Sequence, residues 1–237
     1  MDIKEFVKNY QEAFGNKAPL PLLFGYSDHP VSATEKKIGG CFFKGLQAAR
    51  EGTPVSLGVD VIGCGGGKLY TGFSDMPERV PGFVSLKEKY KRTPEMVVDY
   101  IRGLGMHRAE KPYLNFVRID KVVSFEGTEG ILFYATPDML SGLCGWAFYD
   151  SNEPDAVVSL FGSGCSTVVS MTVVENERHG HRCFLGLFDP SVRPWVGKNE
   201  LSFTIPFCRF VPMMDSMRDC FLFDSHAWEK VKSRIGE

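Results

Sequence analysis

Several of the strand-like stretches in this chain are apolar from end to end, without the alternation of a half-solvated strand. The candidates are PLLFGY (21–26), VDVI (59–62), YLNFVRI (113–119), GILFYAT (130–136), AVVSLF (156–161), RCFLGLF (182–188) and LSFTI (201–205). A continuous apolar run indicates a strand covered on both faces, so the sheet it joins needs a layer of other structure on each side. Helical letters supply that layer. Ile3, Phe6, Val7, Tyr10 and Phe14 recur at helical spacing behind Asp2, a capping residue, and the pattern stops at Gly15. Thr93-Pro94 and Thr136-Pro137 each place a hydroxyl cap before a proline suited to the first helical position. The segment from Pro206 to Ile235 reads as two helices separated near FDSHAW, with Phe207, Phe210, Met214 and Met217 at core spacing.

Interleaved in this way, the elements predict one domain over residues 1–237. Its class is α/β or α+β, a mixed sheet flanked by helices. Two stretches, VDVIGCGGGK and VVSLFGSGCSTVV, both run from an apolar strand through a glycine turn carrying a cysteine into a helix. They suggest two pseudo-similar halves.

Charge narrows the function classes. The 237 residues carry a net charge of -2, and no basic patch with interleaved aromatics stands out along the chain, so nucleic acid is not an expected partner. The N-terminal letters lack the uninterrupted apolar core of a signal peptide, and no run is long enough to span a bilayer. A cytoplasmic protein without a membrane partner is therefore expected. Seven cysteines without an export signal point to buried thiols, ligands or nucleophiles rather than a disulfide framework.

The glycine turn at 63–67 is not a phosphate cradle. Gly67 and Lys68 supply the end of a P-loop, but its first glycine falls on Ile62 and its Ser/Thr on Leu69. The dinucleotide fingerprint fails at Lys68 or Tyr70. What remains is a cysteine beside glycines at the start of a helix, where exposed N–H groups lower a thiol's pKa. Cys41 and Cys165 share that setting with Cys64. Strands running parallel before Cys64 and Cys165 would bring both turns to one sheet edge. The chain has no C-x-x-C, so any thiolate centre is assembled from distant segments. His179 and His181 flank a glycine and would share a face on an extended backbone.

CFFKGLQAAREG, VIGCGGGKLYTGF, ILFYATPDML, FGSGCS, DPSVRP and LSFTIP follow one another in this chain. In these motifs, from about Pro21 to Met217, it resembles the ArCR family, domain of unknown function 169. That family is uncharacterised, so the resemblance implies no reaction. It marks Cys41, Cys64 and Cys165 as matching the family's cysteine motifs. Cys144, Cys183, Cys208 and Cys220 match none, and HGHRC departs from the pattern.

Two expectations follow. In the first, Cys41, Cys64 and Cys165 hold zinc or an iron–sulfur cluster for redox chemistry or ligand binding. The site is then lined by Gly63, Gly65, Gly66, Gly67, Ser163, Ser166 and Arg193. In the second, those same turns form a small-molecule or anion-binding module whose cysteines are structural. A thiol enzyme with one hyper-reactive cysteine is a third.

Overall fold

In the computed structural model, which describes residues 2–32, 38–160 and 162–236, the central strands send alternate side chains to opposite sides of one sheet. The strands are β1 (Leu22–Ser27), β2 (Val55–Leu57), β3 (Tyr113–Arg118), β4 (Gly130–Ala135), β5 (Val157–Val158), β6 (Cys183–Gly186) and β7 (Leu201–Pro206). Their order across the sheet is β2-β3-β1-β4-β7-β6-β5. Every pairing is antiparallel except β5 with β6. The helices are α1 (Ile3–Phe14), α2 (Leu46–Arg50), α3 (Gly65–Tyr70), α4 (Arg79–Gly82), α5 (Pro94–Gly103), α6 (Pro137–Tyr149), α7 (Met171–Glu177), α8 (Phe207–Ser216), α9 (Phe221–Asp224) and α10 (His226–Lys232). The fold is α/β on a mixed sheet, as the apolar runs require.

The caps form where the letters place them. The Asp2 carboxylate accepts from the Glu5 N–H at 2.8 Å, the Thr93 hydroxyl from Met96 at 3.3 Å and the Thr136 hydroxyl from Met139 at 3.5 Å. Each such cap is worth about 1 kcal/mol of local stability.

Two apolar layers result. On one face Leu23, Ile131, Phe133, Phe203 and Ile205 pack under Phe6, Tyr10, Trp146, Phe210 and Trp228 from α1, α6, α8 and α10. Buried indole N–H groups need acceptors. Trp146 donates to the Met213 carbonyl and Trp228 to the Ala13 carbonyl, each at 2.8 Å. On the other face Leu22, Phe24, Tyr26, Leu132 and Tyr134 pack against Phe42, Phe43, Leu46, Ile62, Val168, Val169 and Leu187.

Two expectations change. VDVI is not a strand: the Gly58 carbonyl accepts from both Val61 and Ile62 at 3.1 Å, which closes a turn there. Val59 is left exposed, and only Ile62 bridges, to Ile38. The strand lies four residues earlier, at Val55–Leu57, paired with β3. Nor are the strands before the two cysteine turns parallel neighbours, because β2 and β5 occupy opposite edges of the sheet. Of AVVSLF, Val157 and Val158 pair with β6, and Phe161 lies outside the described residues.

Trp146 is fully buried, stacked with Phe6 and edge-on to Phe210. Trp146→Ala is expected to lower unfolding free energy by about 3–5 kcal/mol. A urea titration checks this, with the midpoint falling and the slope unchanged.

Candidate functional site

The cysteines divide between the layers. Cys183, Cys220 and partly buried Cys144 belong to the α1/α6/α8 side, whereas Cys41 and Cys165 belong to the other. Cys64 lies within electrostatic reach of both Cys41 and Cys165, and Cys41 within reach of Cys165. Residues from three separate segments, far apart in sequence, thus form one neighbourhood.

Local structure explains each placement. Cys41 precedes the short 3-10 turn Phe42–Lys44, whose two phenyl rings are buried and stacked 4.6 Å apart. Cys64 is the N-cap of α3. Gly63 before it must be glycine, because a Cβ there would stand 2.3 Å from the Ile38 carbonyl oxygen. Gly67 packs closely on Ile62 and Phe42. Gly65 and Gly66 leave room beside the thiol, with the Arg79 guanidinium at the rim, 3.7 Å from where a Gly65 Cβ would lie. Cys165 leads into a π turn, Ser166–Ser170, that continues as α7. Its thiol lies 3.4 Å from the Ser163 hydroxyl.

Asp189 completes the group and was not selected from the sequence. It is 5% exposed. Its carboxylate accepts from the Gly164 N–H at 2.7 Å and from the Ser191 N–H at 3.0 Å, and the Ser191 hydroxyl donates to it as well. The letters D-P-S announce a turn of this kind. The tie to Gly164, 25 residues away, is tertiary and carries no local signal. No cationic side chain pairs with Asp189 among the described residues. Tyr70 stands here too, within reach of the charges of Cys165 and Asp189 and hydrogen-bonded to Ser163.

Asp189 bears on both Cys41 and Cys165, and the Arg79 guanidinium stands at the rim beside Cys64. Burial pushes the Cys41 thiol up to about 11; a backbone hydrogen bond at Phe43 opposes this, while Cys64 and Asp189 add to it. Burial also raises the Cys165 thiol, against its bond to Ser163, and Cys41, Cys64 and Asp189 raise it further. The helix starts therefore do not make thiolates of Cys41 and Cys165, contrary to the sequence expectation: desolvation outweighs the dipole of so short a turn. The Tyr70 phenol is raised for the same reason, burial first.

Distances set a limit. Among the described residues, no three side-chain ligand atoms of this group come within 4.8 Å of one another; Glu153, Asp155 and His181 do so elsewhere. That second set is largely exposed, with His181 Nε2 2.8 Å from an Asp155 oxygen. The backbone at His179 is not extended but lies at φ 51° in the left-handed region, so the shared face that an extended stretch would give His179 and His181 is absent. Ser166 is fully buried and its hydroxyl donates to the Ser163 carbonyl at 2.8 Å. Arg193 is spent on backbone, donating to the carbonyls of Leu187, Gly197, Lys198 and Glu200. Ser166 thereby braces its own loop, and Arg193 braces the 187–200 segment at the wall of a cleft shared with Pro137, Phe188 and Leu201.

The thiols impose a pH dependence. From an ordinary value of 9.0 up to about 11, the unfolded Cys41 has lost its proton and the folded one keeps it. Stability from this group is thus full below pH 9 and is lost as pH rises toward 11. Denaturant titrations across that range are expected to show the decline, and Cys41→Ser to reduce its slope.

The model of the family described as uncharacterised ArCR, domain of unknown function 169, matches residues 19–216. No curated protein and no solved structure matches the chain.

Proposed function

We propose that this chain, which belongs to the uncharacterised ArCR family, holds an iron–sulfur cluster on Cys41, Cys64 and Cys165 and uses it for redox chemistry or for binding a small ligand. The observation that supports the reading is that three thiols from separate segments and the buried carboxylate of Asp189 lie within electrostatic reach of one another. Thiolates formed there on metal binding would add to the charge of Asp189, an arrangement that suits a cationic occupant better than an anion. This weighs against the anion-binding alternative.

Two further points support the choice of cluster. Thiolates that share one zinc lie within about 4 Å of each other, which is closer than the three sulfurs stand as a set. In a cluster each thiolate takes a different iron, so the sulfurs stand farther apart. A free nucleophile is disfavoured because Cys41 and Cys165 hold their protons at neutral pH. The same protonation makes a demand on loading: the thiols must release protons as they bind. Three cysteine ligands leave one cluster position for another side chain, water or a substrate. Gly65 and Gly66, which have only ordinary contacts from Arg79, Pro77 and the Cys64 sulfur, lie on that side of Cys64.

Protein purified without oxygen and without an affinity metal is expected to contain iron and acid-labile sulfide in comparable amounts, with a brown chromophore. Cys64→Ser is expected to abolish the chromophore while the far-ultraviolet circular dichroism stays unchanged. Anaerobic reconstitution in weakly buffered solution is expected to release protons and to proceed better at pH 8 than at pH 6. Colourless, metal-free protein after reconstitution would sink the reading and leave the cysteines as packing around a small-molecule pocket.

A further inference from the structure

Between α3 and β3 the chain leaves the sheet and builds an outlying helical layer. Its inner side is apolar: Leu69, Val97 and Ile101 are buried, with Tyr70, Met76, Val80, Val84 and Met106 packed against them. Its outer side is unusual. Phe83 is 47% exposed, Leu86 69% and Tyr90 36%. Residues 78–92 hold five Lys or Arg against two Glu, in a chain whose net charge is -2.

Among the described residues none of those five cations, Arg79, Lys87, Lys89, Lys91 and Arg92, forms an ion pair. The charges and rings are intermixed. Lys87 Nζ stands 5.4 Å from the centre of the Phe83 ring, and Lys91 Nζ stands 4.3 Å from that of Tyr100. Along the sequence the cations are spaced out and do not register as a patch; Lys89, between them, takes φ 60° in the left-handed region.

We infer that this face docks on an anionic lipid surface. Lysine is depleted at protein–protein interfaces, whereas lysines beside exposed Phe, Leu and Tyr suit a headgroup layer, with phosphates at the ammonium groups and apolar side chains below them. Such a segment lies on a bilayer and does not cross it, and no described helix is long and apolar enough to cross. The inference is independent of the cluster.

The test is flotation of the full chain with phosphatidylglycerol/phosphatidylcholine vesicles and with phosphatidylcholine vesicles alone. Binding is expected to the anionic vesicles only and to weaken with salt. Lys87→Glu with Lys89→Glu is expected to lower the partition coefficient by about tenfold or more. Leu86→Asp is expected to lower it too, with the thermal midpoint unchanged in both variants.

The inference is overturned by equal recovery with and without anionic vesicles. It is also overturned if Leu86→Asp binds like the parent, because the apolar contact is then absent. Nucleic acid binding in place of vesicle binding would do the same. So would light scattering that shows a dimer which Leu86→Asp dissociates, since a second copy would then cover this face.

Discussion

Three residue pairs join the two halves of the sheet. Leu22 faces Leu132, Leu23 faces Ile131 and Phe24 faces Gly130. To one side lie the strands of the N-terminal half, β2-β3-β1, and to the other those of the C-terminal half, β4-β7-β6-β5. The seam tolerates no side chain at its end. A Cβ on Gly130 would stand 2.6 Å from both Phe24 and Thr172. With β1 and β4 in register, alternate side chains are committed to opposite layers, and each layer closes over what it receives. The cysteine neighbourhood depends on this seam, since Cys41 and Cys64 come from the first half and Cys165 and Asp189 from the second.

Within that frame the site is built by desolvation rather than by helix ends. Glycine turns bring the backbone close, and the buried, stacked rings of Phe42 and Phe43 follow directly on Cys41. The buried carboxylate of Asp189 fixes the 162–165 loop by accepting from Gly164. Each device stabilises the fold in its own right, and together they set protonated thiols beside a buried carboxylate. A protein interior seldom leaves such a carboxylate without a proton or a cation, and this gives the neighbourhood its chemical interest.

Much of this was legible in the letters, and the reasons are physical. Caps such as Thr93-Pro94 and Thr136-Pro137 act over three residues, so sequence alone reveals them. The apolar run of 130–136 and the alternation of LSFTI at 201–205 both read as strands, and both lie in the middle of the sheet. VDVI misled because its letters are those of a strand, while the turn that forms depends on the Gly58 carbonyl. Asp189 was invisible as a site residue because its partners come from 162–165 and from the thiol layer. The low-pKa expectation for Cys41 and Cys165 failed on burial, a property of the fold rather than of the neighbours in sequence. His181 meets Asp155 and not His179, since pairing across β5 and β6 outranks spacing along the chain.

The seven-stranded sheet also acts as a partition for sulfur. Cys41 and Cys165 lie in one layer, and Cys144, Cys183 and Cys220 in the other. The strands stand between the two sets, so a disulfide from one layer to the other would have to pass through the sheet. Oxidation of the folded chain is thereby confined to partners on the same side. A crosslink between Cys165 and Cys183 would record an earlier opening of the sheet, so the pattern of crosslinks preserves a history of whether the molecule had come apart.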